Sequence, residues 1–561
     1  NDITLANSTN TFGGPVVITS GDDVTLNENG AMNLGASTIS GNLAVTTAGG
    51  ITDSGAILVG GATTLDAGSV NAITLDAAND FGGPVAIIAA DDVTLNDINA
   101  IDLGASTISG NLALTAAGDI TDSGALNVTG TTTLDAGSAN DILLDEANDF
   151  NGPVSIIAAK DLTLNDINAI DLGASTISGN LAVTANGAIT DSGRLNVTGT
   201  TTLAAGSAND ITLDSNHAFQ GSVSVTSGRN VTLWNYWAAP MDFGASTISG
   251  NLTVISNGTI TDSGALNVAG TASLQAGFIV SYDITLDAAN DFGGPVSIVR
   301  ADDVTLNDIN AIDLGVSTIS GNLALTAAGD ITDSGALNVA GTTTLAAGSG
   351  NDILLNAANQ FGGAVSVTAA DDVTLNDTGA IDLGASTISG NLAVTANGTI
   401  TDSGALDIMG TTTLAAGSAN AITLDEANDF GGAVSITTGR NVTLNDTDEI
   451  DLGASTISGD LSVTTAGAIT QSGTLAVSGT TTLAAGSAND ITLADAGNTF
   501  AGLVGITSGG DVALTNSGAI VLGVSTISGN LAVTTAGAVT QFGAINVAGS
   551  TTLAAGAANA I

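Results

Sequence analysis

The sequence predicts an all-β fold, a parallel β-helix running as one continuous solenoid through residues 1–561. Three observations carry that expectation: a long internal repeat, a shorter strand–turn–strand unit inside it, and alternation of Leu, Ile and Val with Ala, Ser and Thr. The pentapeptide Ser-Thr-Ile-Ser-Gly begins at Ser37, Ser106, Ser175, Ser246, Ser317, Ser386, Ser455 and Ser525, at spacings of 69 to 71 residues. A Phe recurs at the same period, from Phe12 and Phe81 through to Phe500. Such self-similarity is the signature of a repeat architecture. The opening Asn-Asp-Ile matches the closing Asn-Ala-Ile, so eight whole repeats of about 70 residues are expected, and the start without Met suggests a segment of a longer chain.

Seventy residues is long for a single coil, and the repeat divides further. Residues 180–243 read as three similar lines, NLAVTANGAITDSGRLNV, TTTLAAGSANDITLDSNHAF and SVSVTSGRNVTLWNYWAAPMDF. Each opens on an alternating strand, such as Leu181-Ala182-Val183 or Val223-Ser224-Val225, passes a Gly/Asn/Asp turn to a second short strand, and closes on a third apolar pair. Period-2 alternation places one row of side chains inward and the next outward, as a half-buried strand requires. The 3.6-residue helical period is absent, and Glu, Lys, Arg and Gln are scarce. Thr follows the first apolar residue of the second strand at 21 of 24 equivalent positions, the exceptions being Leu143, Leu354 and Ala513, with spacings that cycle through 27, 22 and 20. This predicts three coils per repeat and about 24 coils of about 23 residues. At ~4.8 Å per coil that is a rod of roughly 115 Å. Inward Leu, Ile and Val stack on their own kind, and stability is a sum over neighbouring coils.

Composition bounds the function. Net charge is −49, with five basic residues in 561. Such a surface repels nucleic acid and anionic membrane and keeps a rod soluble. There is no Cys, hence no disulfide framework or thiol chemistry. No apolar run reaches the ~18 residues of a membrane span, so no direct membrane insertion is expected. The lines GNLAVTANGAITDSGRLNV at 179–197, GTTTLAAGSANDITL at 199–213 and FGGPVAIIAADDVTLNDINAIDLGAS at 81–106 resemble the repeat region of filamentous-haemagglutinin-like exoproteins, large bacterial surface or secreted adhesins often exported by two-partner secretion. The resemblance implies a right-handed parallel β-helix, an extracellular or cell-surface location, and a role as an adhesive or structural fibre. It implies as partners glycans or surface proteins of host or neighbouring cells. Self-association of rods into extracellular filaments or matrix is the alternative. A carbohydrate-binding or carbohydrate-active β-helix is a third reading.

Candidate chemistry is sparse. Polysaccharide-cleaving β-helices need carboxylates beside a base or cations on one face. Here the one histidine is His217, and Lys160, Arg229, Arg300 and Arg440 occupy the same turn in different repeats. They are too far apart to converge, so no catalytic residue and no enzyme activity are expected. Paired aspartates such as Asp91-Asp92 and Asp302-Asp303, with Asp53, Asp122, Asp191, Asp262, Asp333 and Asp402 of the Thr-Asp-Ser-Gly turns, could offer oxygens to Ca²⁺. The Gly-rich nonapeptide of Ca²⁺-binding β-rolls is missing, so no metal or other cofactor is expected, and the acidic turns read as a solvated face. The Thr column lacks the second outward Thr of an ice-binding array and reads as strand chemistry.

One stretch breaks the monotony: Leu-Trp-Asn-Tyr-Trp-Ala-Ala-Pro at 233–240, which holds both tryptophans of the chain and one of its two tyrosines. Its counterpart elsewhere is Leu-Asn-Asp-Ile-Asn-Ala, and it is two residues longer. The next repeat carries its own two-residue insertion, Gly-Phe-Ile-Val-Ser-Tyr-Asp at 277–283, where others read Gly-Ser-Ala-Asn-Asp. Insertions on solenoids map to loops, often on a binding face, and exposed Trp and Tyr give large contact area at low entropy cost. The expected ligand contacts are Trp234, Tyr236 and Trp237, with Tyr282, Phe278 and His217 as neighbours. The competing reading is that the rings fold back over an apolar corner.

Overall fold

The structure is a computed structural model that describes residues 1–237 and 240–556. Among these residues it consists of short parallel strands and no helix, a parallel β-solenoid as the sequence predicts. Two compact units divide the chain, one of Asn1–Tyr282 with Asp291–Gly293, the other of Asp283–Asn290 with Gly294–Ile561.

A turn of the first unit shows how the sequence makes the coil. Val93–Asp97 lies on one broad sheet, Ile101–Leu103 crosses to the opposing broad sheet, and Ser106–Ile108 forms a narrow sheet along one edge before the chain returns at Leu112–Ala116. Alternation decides the faces: Val93, Leu95, Leu112 and Leu114 are buried while Thr94 and Ala113 face outward. In-register stacking follows, with Val93 opposite Leu112 and Leu112 opposite Thr132. Each buried Leu, Ile or Val contributes about 1.5–3 kcal/mol of transfer free energy. A single coil cannot enclose its own interior, so this burial exists only between neighbours.

The register corrects the coil count. From Ile73 the ladder climbs to Val93, Leu112, Thr132 and Val154, in steps of 19 to 22 residues. Val154 then pairs with Leu172, and the next repeat's Ile170–Leu172 enters the sheet that held Val93–Asp97. The counterpart of Val93–Asp97, Leu162–Asp166, has meanwhile joined the opposite sheet, above Ile142. Each repeat therefore advances three and a half turns, and eight repeats make about 28 turns rather than 24. The spacing of 27 misled the count. Thr94 stacks on Ala113 one turn on, whereas Thr121 lies on the other sheet, opposite Asp102. The step from Thr94 to Thr121 is thus a turn and a half. Equivalent residues of successive repeats occupy opposite sheets, and only alternate repeats share a side. The second unit repeats the pattern, Ile284 stacking on Val304, then Leu323, Thr343, Val365 and Leu383.

The turns are tied coil to coil. Asp92 Oδ1 accepts the backbone and side-chain N–H groups of Asn111 at 2.8 and 2.9 Å, and Asn111 Oδ1 accepts the N–H and hydroxyl of Thr131, both at 2.8 Å. Asp372, Asn391 and Thr411 repeat the arrangement in the second unit. One recurrent corner needs glycine: Gly137 sits at φ 75°, where a side chain is strained.

Candidate aromatic ligand site

The unusual corner is best understood from an ordinary one. Asn148 is fully buried where the chain bends from broad sheet to edge. Its Oδ1 accepts the Leu126 N–H at 2.8 Å, and its Nδ2 donates to Asp122 Oδ2 at 2.7 Å. One coil on, the buried Asp166 accepts the N–H groups of Phe150 at 2.9 Å and Asn168 at 2.7 Å. Burial pushes the carboxyls of Asp122, Asp166 and their counterpart Asp97 above the usual range. In the second unit, burial, with Asp448 alongside, pushes Asp446 up to about 6.

In the aromatic repeat His217 takes the place of Asn148. Its Nδ1 accepts the Leu195 N–H at 3.0 Å, and its Nε2 lies 3.3 Å from Asp191 Oδ2. The Ser215 N–H is near both Asp191 Oδ2, at 3.2 Å, and His217 Nε2, at 3.3 Å. The carboxylate is the stronger acceptor, which leaves Nε2 to carry the proton toward Asp191. Burial raises the Asp191 carboxyl, but the hydrogen bonds from His217, Ser215 and Asp214 outweigh it and hold the group below its ordinary value. His217 is 0% exposed. The expectation that it contacts a ligand is therefore corrected: the imidazole reproduces the acceptor and donor of the buried asparagine. Asn235 likewise stands where Asp166 stands, its Oδ1 accepting the Phe219 N–H at 3.0 Å and its Nδ2 donating to the carbonyls of Phe219, at 3.2 Å, and Pro240, at 3.4 Å.

This bracket carries the exposed rings. The His217 carbonyl accepts the N–H groups of Tyr236 at 3.1 Å and Trp237 at 3.2 Å. The Tyr236 ring meets Trp237 at 5.3 Å, edge to face at 74°, and Phe278 at 5.3 Å and 59°. The Arg194 guanidinium lies over the Trp237 ring at 5.2 Å. The register explains the convergence. Asn235 pairs with His217 on one side and, through Ser256, stacks toward Ala276 on the other. The two insertions, 42 residues apart from Tyr236 to Phe278 in the sequence, are thus two turns apart on one edge. Gly277 makes the second loop feasible: it adopts φ 99°, and a Cβ there would overlap the Val280 carbonyl oxygen. Asn216, the non-glycine residue with positive φ among those described, borders the same edge at φ 56°. Trp237 is 64% exposed and Ile279 90%.

Of the six expected contact residues, the structure thus joins Tyr236, Trp237 and Phe278. Trp234 lies on the broad sheet, half-buried, opposite Ile255 where ordinary coils pair Asn with Thr. Tyr282 is exposed in the second loop, its N–H bonded to the Ala276 carbonyl at 3.1 Å. Ala238 and Ala239 of the first insertion lie outside the described residues. Arg194 was missed. Its signal was that it replaces an alanine (Ala125 and Ala265 in neighbouring repeats) and is the one basic residue outside the acidic turn column. Beside it opens a groove of about 360 Å³ lined by Ile156, Ile157, Ala174, Ser175, Thr176 and Asn196.

Two other basic residues are engaged by the fold. Arg229 donates from two nitrogens to both oxygens of Asp210, each at 2.8 Å, and with it holds Asp210 down to about 2. Lys160 lies 3.3 Å from Asp141 and 3.2 Å from Asp161. Asp53, Asp333 and Asp402 grip buried asparagines as Asp122 does. Among the described residues no group of three or more His, Asp or Glu side chains is placed to hold a metal ion.

A solenoid of eight near-identical repeats with one modified edge defines the class of the molecule. The family model described as "Repeats of unknown function (DUF5649)" matches residues 21–88, 90–157, 159–226, 228–299, 301–368, 370–437, 439–507 and 509–561, and the chain belongs to that family. No curated protein and no solved structure matches it.

Proposed function

We propose that this chain is a structural and adhesive segment of a bacterial surface or secreted exoprotein, a non-enzymatic rod that projects or forms an extracellular fibre and contacts glycans or surface proteins at one aromatic edge. The supporting observation is the contrast in how polar groups are used. At ordinary turns, aspartate, asparagine and threonine side chains such as those of Asp92, Asn111 and Thr131 bond to neighbouring coils, whereas at the aromatic edge three rings and a guanidinium face outward together. Exposed aromatic clusters with an arginine are the usual anchors of binding surfaces. The resemblance to filamentous-haemagglutinin-like repeats supports the extracellular assignment. Binding of the chain to a broad glycan array and to intact cells tests the reading, beside a Tyr236→Ala, Trp237→Ala, Phe278→Ala variant. Specific binding that the variant loses is the expected result. Equal binding by both forms, or by neither, removes the adhesive role of this edge.

A further inference from the structure

We infer that Arg194 and Trp237 form a binding site for a carboxylated sugar, an oligosaccharide carrying one carboxylate among neutral hydroxyls. The inference rests on the adhesive reading above and deepens it by naming the ligand.

The first argument is electrostatic. The chain holds 54 acidic residues and five basic ones. Arg229 and Lys160 are paired with aspartates. Arg194, exposed, has no carboxylate within 4 Å among the described residues. Its position is alanine in neighbouring repeats, so it completes no element of the coil. The Trp237 face beneath the guanidinium orients it by cation–π attraction and leaves its N–H edges available. Planar donors held in this way suit bidentate capture of a carboxylate.

The second argument is the surrounding surface. The groove beside Arg194 presents the Thr176 hydroxyl and the Asn196 amide, which stack across adjacent coils, against the exposed Ile157. Its volume of about 360 Å³ falls within the ~300–1,000 Å³ of small-ligand sites. On the other side the Trp237, Tyr236 and Phe278 rings follow one another at 5.3 Å, offering faces and edges on which sugar rings stack. A cation without a carboxylate partner, on a chain of net charge −49, also selects for sparse charge. A polyanion placed on Arg194 would run over repelling carboxylates, whereas a singly charged oligosaccharide need not.

The test is titration of the full chain with a sialylated trisaccharide and a hexuronate-capped trisaccharide, each beside its carboxyl-reduced neutral twin. Salt at 0.15 M limits distant repulsion to a Debye length of about 8 Å. At least one acidic probe is expected to bind and quench Trp fluorescence. Loss of the charged hydrogen bonds predicts roughly 10- to 100-fold weaker binding of its neutral twin and by Arg194→Gln, with Arg194→Lys between. Trp237→Ala should weaken both twins, the acidic one more, because the ring stacks the sugar and also orients the guanidinium. Circular dichroism confirms that the variants fold. Equal binding of neutral and acidic probes, or an Arg194→Gln variant that binds as before, overturns the carboxylate site while leaving glycan adhesion standing. Tighter binding of a short peptide through its free C-terminal carboxylate overturns the sugar. No binding by any probe overturns the site.

Discussion

Two corners of the first unit do the same job with different residues. At residues 142–166 the chain turns on Asn148, Asp122 and Asp166; at residues 211–235 it turns on His217, Asp191 and Asn235. In both, a buried side chain accepts one backbone N–H from the coil below and faces an aspartate of that coil. Inside the corner the hydrogen-bonding roles survive a change of residue, because each unpaired buried group would cost about 1–3 kcal/mol. Outside it, where no neighbour demands a partner, the same two corners differ by an insertion, two Trp and a Tyr. The comparison separates what the solenoid requires from what it merely carries.

The strongest way to break the comparison is to remove the buried bracket itself. His217→Leu and Asn148→Leu should each cost about 3 kcal/mol locally, since each strands a backbone N–H and a buried aspartate. Coils of a solenoid can open in segments, so the measurement is hydrogen exchange at the Leu195 and Leu126 amides rather than a single unfolding midpoint. His217→Asn should fall within about 1 kcal/mol of the parent, because it restores the ordinary bracket. A large loss there would show that the imidazole does more than mimic asparagine.

Acidity offers a second separation. Asp97, Asp166 and Asp446 have carboxyls raised by burial, Asp446 to about 6. A group whose folded value is raised contributes stability that is fully present below its unfolded value, near 3.8, and is lost as pH rises through its folded value. The Phe430 amide, which bonds Asp446, should therefore be better protected at pH 4.5 than at pH 7, by on the order of 2 kcal/mol after correction for intrinsic exchange. The Phe219 amide bonds the non-titrating Asn235, so that contact brings it no such gain. Protection at Phe430 that falls on acidification would contradict the assignment.

How much of this could be read from the sequence follows from where the information sits. Strand alternation, the repeat and both insertions are local patterns, and the solenoid class follows from them. The count of coils was not local: the spacing of 27 from Thr94 to Thr121 hides a half turn that only the pairing of Asp102 with Thr121 reveals. Once that half turn is missed, so is the two-turn relation that brings Phe278 onto Tyr236 and Arg194 onto Trp237. His217 was misjudged for a related reason. Its rarity drew attention, whereas its alignment with Asn79 and Asn148, both fully buried, was the physical signal.

Glycine substitutions sharpen the contrast between carried loop and required corner. Gly137→Ala strains a residue at φ 75°, but the nearest atom to the new Cβ is 3.9 Å away, so a local cost of about 1 kcal/mol is expected. Gly277→Ala adds a backbone clash at φ 99°. The loop at 277–283 should move and draw Phe278 off Tyr236, changing tyrosine and tryptophan emission while the Gly137→Ala spectrum stays that of the parent. Indistinguishable spectra for the two variants would mean that Phe278 does not depend on the loop's geometry.

A small effect on stability is expected at Trp237, the most exposed ring of the aromatic edge. Trp237 is held by one edge-to-face contact with Tyr236 and by the Arg194 guanidinium, worth about 0.5–1 kcal/mol each at an exposed site. If the ring belonged to the solenoid's own packing, as the large buried Phe219 does, its removal would cost about 3–5 kcal/mol. Trp237→Ala should instead lower stability by less than about 1.5 kcal/mol and leave protection at the Leu195 and Phe219 amides unchanged, because the bracket beneath it uses His217 and Asn235 and not the indole. A Phe219→Ala variant measured beside it sets the scale. Loss of amide protection in Trp237→Ala comparable to that in Phe219→Ala would place the indole among the residues the corner requires, and the outward-facing edge would then be part of the fold rather than something presented by it.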